Sequence, residues 1–281
     1  MICEVNGIPV YYETVGEGRP FLMLHGGFID HRHIQHDLEP IFAGHPGWQR
    51  IYPDLPGHGR TPAPEWLVRQ DEVLEIVLGF IDQVIAGERF AVAGVSRGGY
   101  LARGVLAKRS ADVDGALLIT PARRGAAPAE SLPKKVALVR DERILSELNP
   151  AEAELMTGYV VQDRSALEGI RRNLIALELT DQVYQKRIFE NYEFSFDVDQ
   201  FPPCFAKPVL ILAGRQDAVV GYLDAWRTLA QFPRATFALL DRAGHYLPTE
   251  QNALLHALAG EWLRRLEESL MLMQSASSVS P

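Results

Sequence analysis

The apolar positions of this chain follow two rhythms. Short unbroken runs, Phe21-Leu-Met-Leu, Phe90-Ala-Val-Ala and Val209-Leu-Ile-Leu-Ala, are separated by longer stretches in which apolar residues recur at every third or fourth place. A run apolar on both sides suits a strand covered on both faces, and the three-four spacing suits an amphipathic helix. In residues 70–86 that spacing is kept by Val73, Leu74, Ile76, Val77, Phe80, Ile81, Val84 and Ile85. In order, the pattern predicts a hairpin of 2–5 and 8–15 across Asn6-Gly7. A strand at 21–24, a helix at 30–42, a strand at 48–55 and the helix at 70–86 come next. A strand at 90–93, a helix to about 108 and a strand at 114–120 follow. Such alternation calls for an α/β fold, a mostly parallel sheet with helices on both faces.

After Pro121 the rhythm changes. Residues 122–205 hold no convincing strand, but they do hold helical stretches at about 132–147, 150–162, 165–177 and 181–192. A block of that length between two strands is too long for an ordinary connection and reads as an inserted helical cap, or lid. The sheet pattern resumes at 208–214 and continues with a helix at 222–231, a strand at 236–240 and a last helix at 252–266. The expected division is a core of 1–121 and 206–266, a cap of 122–205, and a flexible tail of 267–281.

Composition narrows the partners. Lys and Arg number 28 against 36 Asp and Glu, a net charge of −8, so a nucleic-acid backbone would be repelled. The first residues carry no basic segment followed by an apolar one, and no stretch is long and apolar enough to span a membrane. Two cysteines, Cys3 and Cys204, lie in unrelated contexts without metal-ligand spacing and read as buried or semi-buried free thiols, so the expected compartment is the cytoplasm. His31, His33 and His36 read as a solvated helix face; no metal and no cofactor is expected. The expected partner is a small-molecule substrate, and a homodimer is left open.

The chemistry centres on Gly94-Val95-Ser96-Arg97-Gly98, a GxSxG turn between a legible strand and a legible helix. An abrupt strand-to-helix reversal puts Ser96 at the tip of a strained turn, with its hydroxyl outward and the first N–H groups of the helix beside it. A serine needs a base, and the base needs an orienting acid. In an open parallel sheet both come from loops at the same carboxyl edge as the elbow. Asp217 follows the strand at 209–213, and His245 follows the strand at 236–240, giving Ser96, Asp217, His245 in chain order. Asp241 is a rival orienter, and Asp54 reads as the pin of its own turn. One oxyanion donor is the backbone N–H of Arg97; the second is that of Gly27, with Phe28 as the alternative. Substrate contacts are expected from Phe28, Tyr159 and the Arg97 side chain, the last receiving a substrate carboxylate.

These motifs, HGG at 25–27, DLPGHGRT at 54–61, GVSRGG at 94–99, GRQD at 214–217 and AGH at 243–245, resemble those of the α/β-hydrolase superfamily from about Gly7 to Leu266. The resemblance implies a Ser96–His245–Asp217 triad, an oxyanion hole at Gly27 and Arg97, and a cap at 122–205. Epoxide hydrolases and haloalkane dehalogenases of this fold carry an elbow aspartate, where this chain has Ser96. Proline iminopeptidases read HGGPG, where this chain reads HGGFI. Many carbon–carbon bond hydrolases have methionine after the nucleophile, where this chain has Arg97. The expected activity is therefore hydrolysis of a carboxylic ester, thioester or lactone. Carbon–carbon bond hydrolysis, a lyase, a cofactor-free oxygenase and a non-catalytic receptor are the alternatives.

Overall fold

The structure, a computed structural model, describes residues 1–122, 132–199 and 204–277. Eight strands make its main sheet: β1 (Ile2–Val5), β2 (Ile8–Val15), β3 (Arg19–Leu24), β4 (Trp48–Pro53), β5 (Phe90–Val95), β6 (Val113–Ile119), β9 (Val209–Gly214) and β10 (Ala235–Leu240). Two further short strands, β7 (Val139–Arg140) and β8 (Val161–Gln162), pair with each other elsewhere. The hairpin of β1 and β2 turns at Asn6 and Gly7, both at positive φ, as a tight two-residue turn requires.

The strands lie in the order β1-β2-β4-β3-β5-β6-β9-β10, antiparallel for β1/β2 and β2/β4 and parallel from β4 onward. From β3 the chain moves outward to β4 and then returns to β5 on the other side. The loops leaving β3 and β5 therefore diverge and open a crevice at the carboxyl ends of the strands. Gly26 and Gly27 follow β3 and Ser96 follows β5, so the two glycine-rich motifs meet there.

Successive residues of a strand face opposite sides of the sheet. Val92, Leu118 and Ile211 join a core with α2 (Gln70–Val84) and α3 (Arg97–Arg109). Ala91, Ala93, Leu117, Ile119, Leu210 and Leu212 join one with α1 (His31–Leu38) and α10 (Asn252–Ser277). Every residue of β5, β6 and β9 is buried, which explains why they are apolar apart from Asp114 of β6, whose carboxylate meets Arg19 and Arg89.

Several expectations change. The helix predicted at 30–42 ends as an α-helix at Leu38 and continues as a 3₁₀ turn, Glu39–Gly44, where Pro40 cannot supply an N–H to an α-helical ladder. Only Glu142–Ser146 (α4) of the predicted 132–147 helix is helical, and α5 stops at Pro150–Met156. The backbone beside them forms the β7/β8 pair, whose two-residue strands are too short for alternation to reveal. In contrast, α6 (Arg164–Glu178) and α7 (Gln182–Glu190) fall where expected, each started by an aspartate cap, Asp163 and Asp181. The expected tail is also corrected. Leu263, Leu266 and Leu270 carry the helical stripe of α10 onto the core past residue 267. Residues 123–131 and 200–203 of the expected cap, and 278–281 of the expected tail, lie outside the described residues.

His31 and His33 are not on a solvated face: both are buried, and only His36 is exposed. His31 sits at the first turn of α1 with Nδ1 2.7 Å from Asp54 Oδ1. Asp30, His31 and Asp54 bring one metal-ligand atom each within 4.8 Å, but Asp54 already accepts from the His31 and Arg60 backbone N–H groups, and Asp30 caps α1 and pairs with Arg32. Asp54 thus pins its turn, as expected. Cys204 is exposed, not buried. No helix among the described residues is long and apolar enough to cross a membrane.

Candidate active site

Ser96 stands between β5 and α3 at φ 51°, ψ −116°, a left-handed conformation that a non-glycine residue adopts only when its surroundings impose it. They do so through the flanking glycines. A Cβ on Gly94 would be driven into the Gly98 carbonyl, and one on Gly98 into the Leu24 and His25 carbonyls of the neighbouring strand end. Backbone cannot step aside as a flexible side chain can. Gly98→Ala is therefore expected to lower stability by about 3 kcal/mol or more, a fall of about 6–12 °C in thermal midpoint. Gly260→Ala, in the open interior of α10 with nothing within 4 Å of the added methyl, is the control and should be neutral or stabilising. Equal midpoints for the two variants would remove this account of the elbow.

The loops after β9 and β10 deliver the other two residues. His245 Nε2 is 2.9 Å from Ser96 Oγ, and His245 Nδ1 is 2.9 Å from Asp217 Oδ2. Asp217 is fully buried, and its Oδ1 accepts the Val219 and Val220 N–H groups, both at 2.9 Å. An ionised carboxylate can only accept, so the network assigns the imidazole proton to Nδ1 and leaves Nε2 to receive the serine hydroxyl. Burial pushes Asp217 upward, but His245 and the two N–H groups outweigh it, and its carboxyl titrates below the usual range. Burial likewise pulls His245 down, while Asp217 and then Glu250 raise it above an ordinary imidazole. Asp241, the rival orienter, is exposed and faces Gln216.

Two neutral histidines hold the glycine loop opposite. His25 donates from Nδ1 to the Gly26 carbonyl at 2.7 Å and accepts the Leu55 N–H at Nε2. His58 donates from Nδ1 to the Pro56 carbonyl at 2.9 Å, which leaves Nε2 to accept from the Phe28 N–H at 3.3 Å and from Gln185 Nε2 at 2.9 Å. Burial lowers His25 to about 4 and His58 well below its ordinary value, so both stay neutral and keep these roles. The Phe28 N–H is thereby committed, and among the described residues no acceptor stands opposite the N–H of Gly27. Arg97 is the first residue of α3, where helical N–H groups lack intrahelical partners.

A cavity of about 700 Å³ opens beside Ser96 and His245, walled by Phe28, Leu155, Leu177, Phe189, Tyr192 and Val219. A second chamber of about 90 Å³ borders the same pair with Tyr159, Arg172, Asn173 and Pro248 among its walls. Phe28 stacks on Phe189 of the inserted segment, ring centres 5.5 Å apart, and Tyr159 stacks on Tyr246 at 4.2 Å. The three residues expected to contact substrate, Phe28, Tyr159 and Arg97, all border these spaces, but the Arg97 guanidinium does not present itself. The residue is 1% exposed, its Nε donates to Gln70 Oε1 and its Nη2 to the Tyr184 hydroxyl, and its remaining nitrogen is buried. It ties α3 to α2 and α7, and although Arg97 is among the residues bordering the large cavity, its guanidinium is held by Gln70 and Tyr184 and exposes no nitrogen there to receive the substrate carboxylate expected of it.

Sequence reasoning missed His58, Gln185, Glu250 and the small chamber. His58 lay in a turn motif with no cue to its partners. Gln185 falls in the predicted helix at 181–192 and Glu250 in the connection before the last helix, neither with a sign of burial, and only the fold turns them inward.

Comparison with known proteins agrees with this architecture. A family model of the alpha/beta hydrolase fold matches residues 19–250. The AB hydrolase superfamily protein YisY of Bacillus subtilis is 29% identical over 116 residues, spanning 41% of this chain and 42% of that protein. The 2-hydroxy-6-oxononadienedioate/2-hydroxy-6-oxononatrienedioate hydrolase 2 of Pseudomonas putida is 24% identical over 92% of each chain. The crystal structure of an alpha/beta superfamily hydrolase from Oenococcus oeni superposes with a TM-score of 0.81 at 26% identity, covering 92% of this chain and 96% of that one. With its family match spanning strands β3 to β10, the elbow and the loops of Asp217 and His245, this chain belongs to the alpha/beta hydrolase fold family.

Proposed function

We propose that the protein is a serine hydrolase that cleaves a small-molecule carboxylic ester, thioester or lactone through an acyl-enzyme. The observation that carries the reading is the continuous Ser96–His245–Asp217 chain, two contacts of 2.9 Å each, at the junction of two chambers. In this reading His245 Nε2 takes the Ser96 proton as Oγ attacks the carbonyl carbon. Asp217 holds the tautomer and stabilises the imidazolium. The oxyanion rests on the N–H groups of Gly27 and Arg97, since that of Phe28 is engaged by His58. His245 then protonates the leaving group, and a water activated by the same imidazole releases the acid. The inserted segment serves as the cap: its Leu155, Leu177, Phe189 and Tyr192 give the large chamber an apolar wall suited to an aryl or alkyl group.

Carbon–carbon bond hydrolysis is the second reading. It is favoured by the full-length similarity to the P. putida enzyme, named for dicarboxylic substrates, together with Arg172, a cation bordering the small chamber. Arg97 after the nucleophile weighs against it.

The test is a panel of p-nitrophenyl esters of graded chain length, a thioester, a lactone and a 2-hydroxy-6-oxodienoic acid, run beside stoichiometric labelling with a serine-directed phosphonate. Turnover of an ester, thioester or lactone with one label per chain on Ser96 is the expected result. Turnover of the dienoic acid alone would favour the second reading. Neither turnover nor label would overturn both and leave a receptor.

A further inference from the structure

The reaction just described leaves one buried acid without a task. Glu250 ends the short helix α9 (Leu247–Glu250) and is 8% exposed, and among the described residues no ion pair balances it. Its two oxygens are shared between backbone N–H groups from distant parts of the chain. Oε2 accepts from Gly244 at 2.6 Å, and Oε1 accepts from Val160 at 2.5 Å. Gly244 immediately precedes His245, and Val160 immediately precedes β8 in the inserted segment. Here the two segments pass closely: a Cβ on Gly244 would lie 3.0 Å from the Val160 side chain at Cγ2. Two residues after Gly244, Tyr246 stacks on Tyr159, the residue before Val160.

Burying a carboxylate is unfavourable unless its lone pairs are met. Those of Glu250 are met only if the His245 loop and the inserted segment stand where they do. We propose that Glu250 is a positioning residue for the catalytic base, its carboxylate fixing the peptide before His245 and fastening it to the inserted segment at Val160. The aim of the imidazole at Ser96 and the seat of the inserted segment are then set by one side chain. The inference rests on the acyl-transfer reading.

The groups facing this carboxylate are Asp217 from the loop after β9, His245 and Tyr246 from its own loop, and Tyr159 from the inserted segment. Burial raises the Glu250 carboxyl above its ordinary range, against the pull of the Gly244, Val160 and Val161 N–H groups and with the help of Asp217. Its charge joins that of Asp217 in raising His245.

Glu250→Gln presents an amide nitrogen to one of the two donors and removes the charge. With active sites counted by phosphonate labelling, kcat per labelled site on an accepted p-nitrophenyl ester should fall about tenfold to hundredfold, with KM little changed. The acid limb of kcat/KM should move to lower pH, since one of two negative charges raising His245 is gone. Glu250→Asp, which keeps the charge but loses reach, should restore the limb while recovering kcat only in part. A merely structural role would reduce the number of labelled sites and leave the limb where it was. Unchanged kcat per site with an unmoved limb in Glu250→Gln would overturn the proposal.

Hydrogen exchange of the wild-type protein supplies an arm that needs neither a folded variant nor a substrate. After correction for intrinsic rates, Gly244 and Val160 should lose protection together as pH falls through the Glu250 titration; independent behaviour would overturn the proposal. Absence of any ester, thioester or lactone turnover in the wild type would instead strike the acyl-transfer reading.

Discussion

Ser96→Ala is expected to lower kcat by a factor on the order of 10⁶ on whichever ester the protein turns over best, with binding of that ester retained. The size of the effect follows from the geometry. Oγ is the atom 2.9 Å from the base, at the tip of a turn whose strained backbone is imposed by Gly94 and Gly98 and not by the serine. Under the proposed mechanism, removing the hydroxyl deletes the nucleophile and leaves the chambers, His245 and the N–H groups of Gly27 and Arg97 in place. Residual rate enhancement of about 10³ over water should survive from binding and oxyanion stabilisation alone. The measurement is single-turnover kinetics with an active-site titrant, compared with equilibrium binding of a non-hydrolysable analogue. A variant that keeps more than about a hundredth of the activity would remove Ser96 from the reaction. Pairing it with His245→Ala should add little further loss, because residues that act as a unit are not additive.

Asp217→Asn should lower kcat by about 10⁴. The asparagine is nearly isosteric, and its carbonyl oxygen can still accept the Val219 and Val220 N–H groups that now bond Oδ1. Its amide would then face His245 Nδ1 as a donor. The imidazole must offer a lone pair there and carry its proton on Nε2, the atom that has to accept from Ser96. The loss is one of tautomer, with little change in fold, so the thermal midpoint should move far less than the rate. The pH profile provides the second readout. In the wild type, Asp217 and Glu250 raise the imidazole, so the acid limb of kcat/KM should lie above the ordinary histidine value of about 6.5. Without the Asp217 charge the folded-state pKa of His245 falls, and the limb moves to lower pH even as the plateau drops. A limb that stayed in place would mean that some other group titrates there.

The buried guanidinium of Arg97 bears on what the large chamber asks of a substrate. With the guanidinium buried against Gln70 and Tyr184, the position after the nucleophile contributes its backbone N–H and stiffens the junction of α2, α3 and α7. Under the proposed reading, Arg172 in the wall of the small chamber is the cation placed to select an anionic group. The two chambers share Gly27, Ile29, Ser96, Asn173, His245 and Tyr246 in their walls, so under the proposed reading the bond to be cleaved lies between a bulky apolar part of the substrate and a smaller part of the same molecule.

Much of this was legible in the chain itself. The runs at Phe21, Phe90 and Val209 marked the central strands because a strand covered on both faces must be apolar at every position. Gly94 and Gly98 marked the elbow because strand and helix pass too closely there for any side chain. Ser96, Asp217 and His245 could be named because each follows a strand of a parallel sheet, and that topology brings such loops to one edge. Other features had no local sign. The two-residue strands β7 and β8 are too short to show a period, and the apolar packing of α10 beyond Leu266 rests on Leu270, a contact that a serine-rich ending conceals. Arg97 was read as facing the substrate because its place beside Ser96 was known while its rotamer was not; Gln70 and Tyr184, 27 and 87 residues away, decide that. Glu250 and Gln185 are of the same kind. A polar side chain carries no sequence mark of being buried, since what makes burial tolerable is a set of partners that only the folded chain assembles.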